Sequence, residues 1–305
     1  MKRIFISLAI LALSVAADAQ TLIKANFEKG DTVIYTSNMT MNVANADVVL
    51  TTDTRYVVQE VQADGYLIES LILSLTGDTD SPVAEALQQT MGMLKGNSVI
   101  VKTDINGAPQ SIVNFSEVNA KATEFLTKFV EDLYAKNSQA AAIMSKEKML
   151  ELVAAQVTEE KLLDDFDKAT NLFKLYGKTL KTGDVEEEDN DGIKLQNTYQ
   201  VTPLLGKLTV VVNGVSNMNP DEIKTMFFKQ LEKANLPADQ LEQIKGNYDM
   251  LVKMGMAKVE INNNSTYMFQ KNSWLQELKA TSKQTMFGQK ITSSMNVSCK
   301  YSNRK

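Results

Sequence analysis

The stretch DTVIYTSNMTMNV, residues 31–43, alternates with period two. Val33, Tyr35, Met39, Met41 and Val43 fall on one face, and Thr36, Asn38, Thr40 and Asn42 on the other. Successive side chains of a strand point to opposite sides, so the pattern predicts a strand buried on one side only. Residues 48–61, rich in Val, Thr and Tyr, predict a second strand. Residues 66–75 predict a third, after the turn Ala63-Asp64-Gly65. Three strands with short links imply an antiparallel meander.

Working outward, Ser81-Pro82 opens a predicted helix, with Ser as cap and Pro in the first turn. Its apolar face is Val83, Ala86, Leu87, Met91 and Leu94, and Gly96 can close it. Asn106-Gly107 lies between two apolar runs, a strong hairpin signal because a type I′ turn needs positive φ at both central residues. Val118, Ala122, Phe125, Phe129 and Leu133 repeat at helical spacing. A second helical stretch is expected over 146–176, with a break near Thr158 and with Phe166 and Phe173 on its apolar side.

Strand patterns return over 179–185, 193–201 and 207–212, with acidic residues 187–191 as a hairpin tip. Asn219-Pro220-Asp221-Glu222 reads as a helix start, and Pro237 as another, carrying Leu241, Ile244, Tyr248 and Val252. The chain ends in four short strand-like runs, 257–261, 266–270, 274–281 and 291–300. Asn262–Ser265 and Phe287–Lys290 are expected to be turns. Strands come in adjacent sets rather than alternating singly with helices. This predicts an α+β fold: an antiparallel sheet, curved or half-barrel, with helices packed on one face. Residues 20–305 are expected to form a single α+β domain, possible similar halves being about 20–140 and 141–305.

Residues 1–19 carry the address. Lys2 and Arg3 precede an apolar run from Ile4 to Ala17, then Ala17-Asp18-Ala19. This is the layout of a secretory signal peptide, with cleavage expected between Ala19 and Gln20. The run is too short to span a bilayer comfortably, and no later stretch reaches membrane-spanning length, so no transmembrane segment is expected after cleavage. Periplasmic or extracellular localisation follows. Cleavage removes Lys2, Arg3 and Asp18, leaving 30 basic and 36 acidic residues, a net charge of −6. No basic field exists to draw nucleic acid.

The 305 residues include no His and one Cys. Imidazole ligands, His-dependent triads, internal disulfides and Cys-cluster metal sites are therefore excluded. Cys299 is expected to be a buried thiol in a terminal strand, with intermolecular pairing as the alternative. Ser145-x-x-Lys148, Lys181-Thr182-Gly183 and Ser294-x-Asn296 together imitate a penicillin-recognising serine enzyme. Their spacing and order are wrong for one, and helix cap and turn are the expected roles. Glu187-x-Asp189-x-Asp191-Gly192 imitates the start of a calcium loop, but position 12 is Thr198 and the first ligand is Glu. A solvated hairpin tip is expected there. The pairs Met39/Met41, Met91/Met93 and Met254/Met256 could offer soft ligands to copper, yet core filling is the expected role. Trp274, Tyr267 and Phe269 are expected to pack in the core, and Asp164, Asp165 and Asp167 to form the wet face of a helix. No catalytic residue, metal or cofactor is expected, and the protein is read as non-enzymatic.

The leader ending Ala19-Gln20, the opening Phe27-Glu28-Lys29-Gly30-Asp31 and the closing runs around Tyr267-Met268-Phe269 and Asn272-Ser273-Trp274-Leu275 resemble exported proteins of the Bacteroidota type. That resemblance implies location and build. The strand–helix order is similar to that of envelope lipid carriers of the LolA/LppX type, whose half-barrels hold acyl chains. It implies a possible lipid or other apolar small molecule as partner. Fourteen Met residues after the leader would suit a surface that repacks around such a ligand. The alternative is a structural or surface-interaction protein with a filled core. The state of the sheet's concave side, filled, hollow and apolar, or hollow and charged, separates these readings.

Overall fold

A computed structural model describes residues 20–43, 46–77, 95–136, 145–154, 158–190, 192–233, 238–255 and 257–304. The leader, the helix expected from Ser81, Met91/Met93, Asp191 and Met256 lie outside these residues. So do the side chains of Leu133, Asp165, Phe166 and Asp167. The fold is α+β with an open, curved antiparallel sheet.

The opening alternation forms β2 (Thr32–Val43), followed by β3 (Ala46–Gln62), β4 (Gly65–Gly77), β5 (Ser98–Asp104) and β6 (Pro109–Ile112). Among the described residues three helices follow: α1 (Phe115–Lys136), α2 (Lys146–Ala154) and α3 (Glu159–Thr170). Then come β7 (Thr179–Leu180), β8 (Val185–Asn190), β9 (Ile193–Leu204) and β10 (Lys207–Ser216). After α4 (Pro220–Lys233), α5 (Ala238–Gly246) and α6 (Tyr248–Lys253), the chain closes with β11 (Val259–Phe269), β12 (Leu275–Met286) and β13 (Gln289–Ser302). A short β1 (Thr21–Leu22) pairs with β7.

Among the described residues eleven strands make one sheet, ordered β6-β5-β4-β3-β2-β13-β12-β11-β10-β9-β8. Each half of the chain is a meander, and the two meet where β2 pairs with β13. The sheet therefore crosses the border between residues 20–140 and 141–305. Its edges are β6 and β8, and α1, α2 and α3 lie between them in sequence. Glu159 of α3 accepts a hydrogen bond from the Ile112 amide at 2.9 Å, covering the β6 edge. The other edge reads VEEEDN, and its charges discourage pairing with a second chain.

Local signals hold at several ends. Asn106-Gly107 does join β5 to β6, but not as the expected type I′ turn: only Gly107 takes positive φ, 97°, and Asp104 Oδ1 shapes a longer turn by accepting from the amides of Asn106 and Ala108. Ser145 Oγ caps α2 by accepting from the Lys148 amide. Thr158 caps α3, which explains the break. Asn219 and Glu222 form a reciprocal capping box at α4.

Three further expectations need correction. The helix expected to reach residue 176 ends at Thr170. Asn171 then adopts φ 49°, a left-handed residue that stops a helix. Residues 171–177 instead run as a loop that buries Leu172, Phe173, Leu175 and Tyr176. Asn262–Ser265 is no turn but the middle of β11, paired with β10 and β12 on either side. The helix expected after Pro237 is split at Asn247; Tyr248 is buried, whereas Val252 is 49% exposed.

Candidate functional site

In antiparallel pairs, directly opposed residues share a face. The inner face can therefore be read as transverse rows, about 7 Å apart along the strands. The first row is Ser37, Val297, Leu278, Tyr267, Val210 and Val201, all buried except the half-buried Ser37. The second is Met39, Met295, Ala280, Ser265, Val212 and Tyr199. The third is Met41, Ser293, Ser282, Asn263, Gly214 and Asn197. Polarity rises from row to row along the same strands.

Over the first row the face is sealed. The N-terminal segment crosses it, tied by Ile23 N to Lys178 O and Ala25 N to Asn106 O. The 171–177 loop lies beside it. Phe27 stacks on Trp274 at 4.1 Å between ring centroids and meets Tyr66 and Tyr176 edge-on. Trp274, Tyr267 and Phe269 are thus core residues. Cys299 packs against the same cluster, and its Sγ donates to Tyr301 O; burial pushes the thiol pKa up. At the other end of the strands, Met226 of α4 packs on Leu195, Val259 and Ile261.

Between these two covers lies a cavity of about 330 Å³, partly open to solvent, over the second and third rows. Met39, Met41 and Met295 form its apolar side, and Asn197, Asn263 and Ser282 its polar floor. Met39 and Met41 also pack on Val48 and Leu50, so the sulfurs have an apolar setting. Met254, by contrast, is 64% exposed. Gly214 is required for close approach: a Cβ there would lie 2.6 Å from Asn197 Oδ1. Asn263 Oδ1 is buried and has no hydrogen-bond partner among the described residues. An unpaired buried acceptor of this kind costs free energy unless something fills it.

The charged rim is internally matched. Lys174 Nζ meets Glu188 Oε2 at 3.2 Å, and Asn197 Nδ2 donates to the same oxygen at 2.9 Å. Lys178 pairs with Glu186, whose Oε2 also accepts from the Tyr199 hydroxyl at 2.6 Å. These acids sit on β8, not on a loop tip. Glu186 and Glu188 alternate with Glu187 and Asp189, so most of the expected hairpin tip is instead an edge strand that sends its acids to two faces. Only the end of the expected tip is a turn: Gly192 takes φ 90° and its amide donates to Asp189 Oδ1.

Burial opposes ionisation of Glu186, but hydrogen bonds from Lys178 and Tyr199 outweigh it and hold its carboxyl below the usual glutamate range. A depressed carboxylate pKa contributes stability that is present above the unfolded value and lost as pH falls through the folded one. The melting temperature of the wild type is therefore expected to fall faster than that of Glu186→Gln from about pH 4.3 downward. Equal slopes in a pH series of thermal melts would refute the assignment.

The motif residues of the serine-enzyme pattern serve local structure. Ser145 is a cap, Lys181 N donates to Asp184 Oδ2 in a turn, and Thr182 Oγ1 bonds the Val201 backbone. Ser294 and Asn296 lie on β13. What sequence reading missed is the polar floor. Its signal was the run Asn262-Asn263-Asn264-Ser265, read as a turn because polar residues in a central strand need a reason to be there.

Among the described residues, no helix is long and apolar enough to cross a membrane. No family model and no curated protein matches the chain. Among solved structures it is similar to lipovitellin, in a study of that protein's lipid–protein interactions, with 9% identity and a TM-score of 0.43 over 91% of this chain. The chain spans about a quarter, 26%, of that chain's length. It is also similar to an outer membrane lipoprotein-sorting protein domain from Vibrio parahaemolyticus, with 9% identity, a TM-score of 0.23 and coverage of 90% and 85% of the two chains. The likeness to an outer membrane channel from Pseudomonas putida F1 is 7% identity and a TM-score of 0.18, covering 91% and 97%.

Proposed function

We propose that this is an exported, non-enzymatic protein of the cell envelope that binds one amphipathic small molecule on the inner face of its sheet. The observation that carries the reading is the gradient of rows beneath the cavity. An apolar body would lie against Met39, Met295 and Val212. A polar end would reach Asn197, Asn263 and Ser282. Because Lys174 and Glu188 neutralise each other, the polar end is best matched by neutral hydroxyl or amide groups rather than a strong charge. The volume falls at the small end of ligand pockets, about 300–1,000 Å³, so one chain or one compact amphiphile fits rather than several lipids.

The non-catalytic reading is supported by the capping and turn roles of the motif residues and by the internal pairing of the charged rim. N-phenyl-1-naphthylamine, a neutral apolar fluorophore, is expected to bind saturably at one site. Ala280→Phe, which fills the cavity from the middle of the second row, is expected to weaken that binding about tenfold or more while the melting temperature changes little. Solvent extraction of protein purified from its own organism, followed by mass spectrometry, is expected to release an amphiphile. No saturable binding together with no extracted molecule would favour the structural reading with no ligand.

A further inference from the structure

Four non-glycine residues among those described have positive φ: Asn171, Leu205, Ser273 and Phe287. Three have a visible reason. Asn tolerates the left-handed region and here ends a helix. Ser273 Oγ accepts from the Asn26 amide, and its carbonyl accepts from the Tyr176 hydroxyl, 2.6 Å away. Phe287 sits in the β12–β13 turn with its ring 4.9 Å from Phe227. Leu205 has no such reason. It is the first central residue of the two-residue β9–β10 turn, at φ 50°, followed by Gly206 at φ 80°. Such turns favour Asn, Asp or Gly there, and a branched apolar side chain is strained.

That side chain is also 96% exposed, and the preceding Leu204 is 66% exposed. Strain held without a folded-state gain points to a function outside the fold. Two cations flank the tip. Lys207 stands opposite Leu204 in the hairpin. The Lys271 stem lies close to Gly206, so a Cβ on that glycine would touch its Cγ at 3.5 Å. Neither ammonium is in an ion pair among the described residues; Lys207 reaches only the Gln276 side chain.

We propose that the Leu204–Leu205 tip inserts shallowly into an anionic lipid surface, with Lys207 and Lys271 resting on its phosphates. A two-residue tip cannot bury the roughly 800 Å² per partner of a stable protein interface, whereas paired leucines between lysines suit the headgroup boundary of a bilayer. The site lies on the hairpin end of β9 and β10, apart from the cavity, and does not depend on what the cavity binds.

The test is flotation of the purified protein with vesicles of phosphatidylcholine, alone or mixed with phosphatidylglycerol. The wild type is expected to float with the mixed vesicles and to be released by salt. Leu205→Gly is expected to keep or raise the melting temperature, because glycine relieves the turn, yet to lower flotation about tenfold. Lys207→Gln combined with Lys271→Gln is expected to remove the preference for phosphatidylglycerol. Equal flotation of wild type and Leu205→Gly, or binding indifferent to lipid charge, would overturn the proposal. A lower melting temperature for Leu205→Gly would also overturn it, by giving Leu205 a role in the fold.

Discussion

Gly65→Ala is expected to destabilise the protein by about 3 kcal/mol or more. Gly65 begins β4, straight after the Ala63-Asp64 turn, and faces Asp104 at the end of β5. A Cβ built there would sit 1.9 Å from the Thr103 carbonyl oxygen, with the Thr103 and Asp104 carbonyl carbons at 2.9 and 3.0 Å. These are backbone atoms of a paired strand, and Thr103 is itself buried. No flexible side chain can swing away, so β4 and β5 would have to part. Urea unfolding should show the midpoint displaced with the slope kept. Gly30→Ala is the control, since nothing lies within 4 Å of a Cβ there and only its positive φ is penalised. If Gly65→Ala loses no more than Gly30→Ala, the close approach is not what this position requires.

Asp31→Ala is the second large effect, expected at about 3 kcal/mol. The carboxylate is 4% exposed. Its Oδ2 accepts from the Trp274 indole at 3.1 Å, the Glu28 amide at 2.9 Å and Arg304 Nη1 at 3.1 Å. Arg304 also donates to Asn26 O, and Asn272 Nδ2 donates back to Arg304 O. One carboxylate thus ties the segment before β2 to the segment after β13 and to the stacked Phe27–Trp274 pair. Removing it leaves the buried Trp274 indole N–H without its acceptor and takes one carboxylate from Arg304, which keeps Glu28 at 2.8 Å. Asp31→Asn should lose less, because an amide oxygen can still accept. A double-mutant cycle with Arg304→Ala should be strongly non-additive, whereas additive losses would show that the two residues act separately.

Much of the sheet was legible because its signals are local. Period-two alternation marks β2, a two-residue gap joins β3 to β4, and Asn106-Gly107 joins β5 to β6. The pairing of β2 with β13 was not legible, since no local pattern records which distant edge a strand will meet. The loop of residues 171–177 was misread because Phe173 fits a helical stripe begun earlier. Yet Leu172, Phe173, Leu175 and Tyr176 cannot all lie on one narrow stripe, and Asn171 was the available stop signal. The cavity floor was misread for the opposite reason. A strand over a packed core is apolar on its inner side, but β11 turns Asn263 and Ser265 toward open space, so its middle looks like a turn. The expected choice between a filled and a hollow concave side is met by both at once. The face is filled over one row and hollow over the next two.

The central β2–β13 pair also sets the order of assembly. Met39 and Met295 are neighbours across it, although they belong to opposite ends of the sequence. As the chain is synthesised, β3 can pair with β2 at once, but the other edge of β2 must wait for β13. Until then the future middle of the sheet is an unpaired edge, and its outer face of Thr36, Asn38, Thr40 and Asn42 is what keeps that edge wettable. Contacts so distant in sequence make folding slow. One side of β2 therefore stays without its partner until β13 is present.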